Sequence, residues 1–343
     1  MSHEAPKSAA PTGGNVAIES VLGIQEKTIF QTLFASQAFW VTVALTLICG
    51  FMTWYEPHFG SIENFYNITR NFAFIGIMAL GMTVVIITGG IDLSVGSIMG
   101  VVAVASGLVL EAEFPWWLAI LAGLGAGLIC GLINGYFVAF LNLSPFVVTL
   151  GMLSIARSFA VVLSGNRMIY NFGSGGPMFK IWGGGAFLGV ANPVWFLIAL
   201  TIVLAVVLRM TAWGRHLIAI GGNEHAAILT GVPVRLVKLQ AYALSALAAA
   251  FAAILNVGWS GSAINALGQS YELRAIASTV IGGANLMGGE GGAYGAVIGS
   301  ALIEVIRNAL LMAGVDSNWQ GTFVGSFIVL AVLLERIRGK RRE

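Results

Sequence analysis

Apolar runs of roughly 20 residues, the length a helix needs to cross a bilayer, recur from one end of this chain to the other. No other feature narrows the fold as far. Ten such runs are drawn on the 343 residues, near 37–54, 65–88, 94–111, 116–140, 145–164, 193–210, 240–257, 272–288, 292–313 and 319–335. They predict an all-α polytopic membrane protein of about ten transmembrane helices (8–10). Charge is too scarce for a soluble alternative. Only 9% of residues are charged and 57% are hydrophobic, whereas a water-facing domain carries about a quarter charged residues. Ser144-Pro145 and Asn192-Pro193 each set a cap residue before a proline suited to a first helical turn. Trp116, Trp117 and Trp319 stand where segments leave the headgroup region.

Lys and Arg orient the chain. The connection 209–239 holds Arg209, Arg215, Arg235 and Lys238, and the last residues hold Arg336, Arg338, Lys340, Arg341 and Arg342. The positive-inside bias places both in the cytoplasm. Six crossings precede the first and four separate the two, so the parity agrees and the N-terminus is cytoplasmic too. Residues 1–36 read as a cytoplasmic tail, in part disordered and in part a surface helix over 15–31, without a signal-peptide pattern. A transmembrane domain spans 37–335 with a cytoplasmic loop at 211–239, and 336–343 is a basic tail. The Gly-rich stretch 165–192 is too irregular to cross and carries Arg167 and Lys180 on the outer side.

Two places interrupt the apolar pattern: TGGIDL at 88–93, and the Gly-rich stretch 281–292 that opens with IGGANL, where Asn285 stands in the position of Asp92. Paired interrupted segments point to a transport site. Gly89 and Gly90 expose backbone groups to a polar path, beside Ser94. Asp92 has two compatible readings: a helix cap for the segment that follows, or part of the path itself. Gly123, Gly127, Gly131 and Gly135 fall on one helical face, as do Gly291, Gly295 and Gly299. Such ridges serve close helix packing or a sliding contact. Asn134 lies beside the first and faces protein. Asp92, Arg157, Glu304 and Arg307 are the ionisable groups read within the membrane, where charge is costly and turns inward. Ser300, Glu304, Arg307 and Asn308 share a face, as a structural ion pair or a path lining.

Other chemistries find no support. Basic residues are dispersed, which argues against nucleic acid. Cys49 and Cys130 read as buried thiols outside any disulfide. The four histidines are scattered too widely for a metal site. No GxxxxGK[ST] phosphate loop and no catalytic constellation occur. The chain reads as a conduit rather than an enzyme, with no cofactor of its own.

ITGGIDLSVGS at 87–97, GRHLIAIGGNEHAAILTGV at 214–232, YELRAIASTVIGGANLMGGEGGAYGAVIGS at 271–300 and NALLMAGVDSNWQ at 308–320 resemble the permease subunits of ribose- and xylose-type ABC importers. These belong to the branched-chain amino acid/ribose permease superfamily. The resemblance covers about 60–335. It implies a bacterial inner-membrane subunit importing a monosaccharide, polyol or sugar-like solute. Implied partners are a cytoplasmic ABC ATPase that binds the ATP, a periplasmic solute-binding protein, a second permease copy and membrane lipid. It makes Gly222, Asn223, Glu224, Ala226, Ala227 and Gly231 the coupling element that docks on the ATPase. Two departures stand out: His225 separates Glu224 from the alanines, and Gln269-Ser270-Tyr271-Glu272-Leu273 replaces a Gly-Tyr-Glu-Leu run. The alternatives are an ion-coupled secondary transporter, with Asp92 and Glu304 binding protons or Na⁺, and an amino-acid ABC permease of related architecture.

Overall fold

Some helices begin at a capping side chain or a proline and several stop at glycine, and between the breaks the chain is largely helical. The computed structural model describes residues 36–316 with 319, 321–323, 325 and 326. Within them lie α1 (Gln37–Tyr55), a 3₁₀ turn (Pro57–Gly60), α2 (Ile62–Ile87), α3 (Val95–Glu111), α4 (Trp116–Ala139), α5 (Pro145–Ser164) and α6 (Gly176–Gly184). A two-residue hairpin, β1 (Ala186–Phe187) and β2 (Val190–Ala191), pairs Ala186 with Ala191 and leads into α7 (Asn192–Met210). Then come α8 (Ala212–Gly222), α9 (Glu224–Leu229), α10 (Val234–Ser260), α11 (Tyr271–Ile281) and α12 (Ala293–Met312). Ser61 Oγ accepts from Asn64 N (3.2 Å) to cap α2, and Pro145 and Pro193 sit in the first turns of α5 and α7.

Seven of these helices are long and apolar enough to cross a membrane: α1, α2, α4, α5, α7, α10 and α12. The chain is an all-α polytopic membrane protein. The sequence pattern differs from the structure in three places. Segment 272–288 is helical only over Tyr271–Ile281, because Gly282 and Gly283 end the helix. Segment 94–111 is helical over Val95–Glu111, 17 residues, short of a full span. The helix expected from 240 begins at Val234, so Arg235 and Lys238 belong to its first turns. The expected segment 319–335 lies largely, and both tails almost wholly, outside the described residues.

The innermost helices are α2 and α10, with 83% and 78% of their apolar windows buried against 22% for α4, α5 and α7. The outer helices turn Ile129, Val162 and Ile202 outward, as lipid contact requires. Both glycine ridges are close-packing surfaces. Gly127 and Gly131 lie against Ala250 and Ala246 of α10, and Gly295 and Gly299 against the carbonyls of Gly282, just past α11, and of Ser278 within it. Gly299→Leu would drive a side chain into the Ser278 carbonyl and should cost about 3 kcal/mol or more. Gly125→Leu, where nothing lies within 4 Å, should be neutral within about 0.5 kcal/mol. Thermal unfolding of the two variants in detergent checks the contrast.

Arg167, expected as an outer cation, has a partner. Its guanidinium donates to both oxygens of Glu111 at 2.6 Å each, and Ser174 N donates to Glu113 Oε2 at 2.9 Å. These contacts pin the irregular stretch 165–175 to the end of α3. Cys49 and Cys130 are free thiols but half-buried rather than buried, because each lies on a flank of its helix shared between core and exterior.

Candidate functional site

Helices α2 and α11 end alike. Gly89 N donates to Ile86 O (2.8 Å) and Gly90 N to Val85 O (3.1 Å); Gly283 N donates to Val280 O (2.9 Å) and Ala284 N to Thr279 O (3.1 Å). Both are Schellman ends, which need a left-handed residue just past the helix. Gly89 (φ +78°) and Gly283 (φ +101°) supply it. An Asx turn then follows in each. Ser94 N donates to Asp92 Oδ1 (3.0 Å), and Met287 N donates to Asn285 Oδ1 (2.8 Å). The short sequence likeness between the breaks is therefore a shared local structure, offset by one residue.

Asp92 is fully buried, and its carboxylate closes an Asx turn just ahead of α3, whose N-cap residue is Ser94. Besides Ser94 N, Oδ1 accepts from Ser94 Oγ (2.6 Å), and Asn134 Nδ2 donates to Ser94 Oγ (2.8 Å). Ser94 and Asn134 are fully buried too. This chain fixes the Asn134 amide: Ser94 gives its proton to Asp92, so it must take one from nitrogen. Tyr242 and Ser245 of α10 complete the cluster at 1% and 0% exposure; a methyl on Gly90 would strike the Tyr242 hydroxyl. Asp92 Oδ2, Asn134 Oδ1, Tyr242 Oη and Ser245 Oγ are all buried without a hydrogen-bond partner. Among the described residues no cation pairs with Asp92.

The loop over the breaks is structured. Thr211 Oγ1 caps α8, accepting from Gly214 N (3.1 Å), and Asn223 Oδ1 caps α9, accepting from Ala226 N (3.0 Å). Gly231 ends it in a left-handed conformation (φ +81°). Glu224 is tied down, its Oε2 2.6 Å from Lys238 Nζ. Ala227 faces inward, buried with Leu217 and Ile220 of α8, Val84, Val85 and Ile87 of α2, and Tyr242. Of the six expected coupling residues, Gly222, Asn223, Ala226 and Gly231 are exposed; Glu224 and Ala227 hold the element in place. Ile228 and Leu229, 53% and 88% exposed, form the apolar outer face that the sequence pattern did not single out.

The elbow between α8 and α9 joins this loop to both breaks. A Cβ on Gly221 would collide with Ile87 O and Gly289 N, and one on Gly288 would come within 2.9 Å of Gly221 Cα and of Gly89 N. Gly289 N itself donates to Ile87 O (2.9 Å). Three glycine-bearing segments, at 87–90, 221–222 and 288–289, thus meet backbone to backbone.

Glu304, 1% exposed, is gripped by Arg307 through Nε (2.9 Å) and Nη2. Asn308 and Asn64 donate to each other at 2.9 and 3.1 Å, joining α12 to α2. The Asn64–Asn308 pair therefore ties α12 to α2, and none of these bonds reaches the Asp92 cluster. Arg70, an ionisable group of α2 missed in the sequence, lies 4.4 Å from the Trp259 ring. Among the described residues no group of three or more His, Cys, Asp or Glu is placed to hold a metal.

Comparison with known proteins gives this geometry a context. A family model described as branched-chain amino acid transport system / permease component matches residues 64–333. The probable ABC transporter permease protein y4mJ of Sinorhizobium fredii is 41% identical over 293 residues, 83% of this chain and 85% of the relative. The ribose import permease protein RbsC of Escherichia coli K12 is 35% identical over 85% of this chain and 92% of its own. The autoinducer 2 import system permease protein LsrD of Escherichia coli SMS-3-5 is 36% identical over 77% and 81%. No solved structure matches significantly. With the family matched over most of its length, this chain belongs to the branched-chain amino acid transport system / permease component family.

Proposed function

We propose that this chain is the membrane-spanning permease subunit of an ATP-driven importer for a monosaccharide or related sugar-like solute. The observation that carries the reading is the extended identity to ribose import permeases, 35% over 85% of the chain. Those relatives favour the sugar branch over an amino-acid importer, although the family description names amino acids. The chain acts as a conduit with neither an ATP site nor a cofactor of its own. A cytoplasmic ATPase, a periplasmic binding protein and a second permease copy complete the transporter in the bacterial inner membrane. Ten crossings, counting α3 with its break, α11 with the segment before it and the stretch 319–335, keep both termini cytoplasmic.

In this reading α9 is the coupling element, and its apolar outer face supports that role. Force on α9 reaches both breaks through the Gly221 junction, so the two hinges move together and the dimer alternates its access. Solute passes between the permease copies, and the Gly89–Ser94 and Asn285 breaks flex at its edge. Leu229→Asp should lower recovery of the ATPase with purified permease at least about tenfold, while the permease alone stays folded, because Leu229 touches little of its own chain. Equal recovery with the wild type and the variant would remove α9 from the interface.

A further inference from the structure

Between α10 and α11 the backbone is irregular over 261–270, and its contacts with α3 fix its depth. Ala263 meets Gly107, near the Glu111 end of α3, and pairs with Ile169 through backbone bonds of 2.7 and 3.0 Å. The carbonyls of Asn265 and Gly268 lie against Gly100 and Gly96, where a Cβ on either glycine would strike them. Gly96 precedes Glu111 by about 22 Å of helix axis. The segment therefore descends to the middle of a ~30 Å hydrocarbon core or beyond before α11 begins.

Non-helical backbone at that depth persists only where protein encloses it or it lines a water-filled cavity. Enclosure is incomplete. Arg157 Nη1 donates to the carbonyls of Asn265 (2.9 Å) and Leu267 (3.0 Å), yet Gln269 and Ser270 remain exposed. Glu272 opens α11 here, half-buried, with Oε2 pressed onto Gly96 and lacking a hydrogen-bond partner. Arg157 is the cation facing it. Arg274 lies 5.3 Å from the Tyr271 ring, and the Glu304–Arg307 pair faces Tyr271 from α12. A carboxylate held at this depth turns to water or to a ligand.

We propose that Glu272, with Gln269, Ser270 and Arg157, forms a transient mid-membrane binding site for a neutral, hydroxyl-rich solute on the translocation path. The proposal rests on the importer reading and deepens it. Sugar hydroxyls both donate and accept. The carboxylate takes their protons, and the guanidinium, amide and serine hydroxyl supply the complementary donors. Weak binding at such a site suits a conduit that must release what it holds.

The test uses the permease assembled with its ATPase and binding protein in proteoliposomes, with ribose as probe. Glu272→Gln should lower ATP-driven uptake about 10- to 100-fold, the range for one hydrogen bond to a charged group, with recovery of the assembled complex unchanged; Glu272→Asp should restore part of the uptake. Independently, Ser270→Cys on a Cys49→Ser, Cys130→Ala background should react with a charged, membrane-impermeant thiol reagent, and ribose should slow the reaction. Full uptake by Glu272→Gln, or no labelling of Ser270→Cys in any nucleotide state, would overturn the site. Uptake by wild type without ATP would instead sink the importer reading, leaving the labelling to decide the site alone.

Discussion

Gly221→Ala is expected to abolish coupled uptake, whereas Gly222→Ala, its neighbour in sequence, leaves uptake intact. The added methyl at 221 would land on Ile87 O and Gly289 N, both backbone atoms, while the methyl at 222 meets nothing within 4 Å. Backbone cannot swing aside as a side chain can, so the three segments must separate. Overpacking of this kind costs about 2–3 kcal/mol, a factor of about 30–150 in any equilibrium that uses the closed junction. Because α8 and α9 keep their own caps and apolar contacts, docking of the ATPase should survive. The expected signature is therefore ATP hydrolysis without solute accumulation, read on one preparation. Equal uptake by the two variants would mean that force does not pass through the junction.

Asp92→Leu should leave almost no folded protein, while Asp92→Asn is expected to keep both stability and uptake within about threefold of wild type. Leucine removes the acceptor of the Ser94 N–H and of its hydroxyl, stranding two buried donors beside the Asn134–Ser94 bond that ties the start of α3 to α4. Each stranded buried group costs about 1–3 kcal/mol, so two or three together approach the whole stability of a domain. Asparagine keeps the oxygen that accepts both bonds and offers an N–H toward the cluster, where Asn134 Oδ1 lacks a donor. It also removes an acidic group that no cation faces among the described residues, where an ionised form is costly. Size-exclusion recovery of tagged protein with an uptake assay distinguishes the outcomes. Folded Asp92→Asn protein that fails to transport would show that the charge itself serves the path.

Much of this was legible in the sequence because lipid enforces long apolar runs and glycine marks where helices stop or touch. The four-residue spacing of Gly123–Gly135 and Gly291–Gly299 foretold contact faces, and TGGIDL and IGGANL foretold the two breaks. What escaped depends on residues distant in sequence meeting in space. Tyr242 and Ser245 sit in an Ala-rich helix and gain meaning only from packing beside Asp92. Gly221 looks like one of several loop glycines until Ile87 and Gly288 arrive beside it. Glu272 is an ordinary carboxylate at the start of a segment until α3 shows how deep that start lies. Helical spacing put Glu304 and Asn308 on one face but could not name their partners, Arg307 on the same helix and Asn64 across on α2.

As proposed, this chain is a passive gate moved by a nucleotide-hydrolysing partner. Purified permease in liposomes, with and without that ATPase and the binding protein, tests it directly through radiolabelled ribose uptake. Accumulation above the external concentration is expected only when the ATPase, ATP and the binding protein are all present, unaffected by collapse of proton or Na⁺ gradients. Uphill accumulation by the permease alone, driven by an imposed ion gradient, would contradict it.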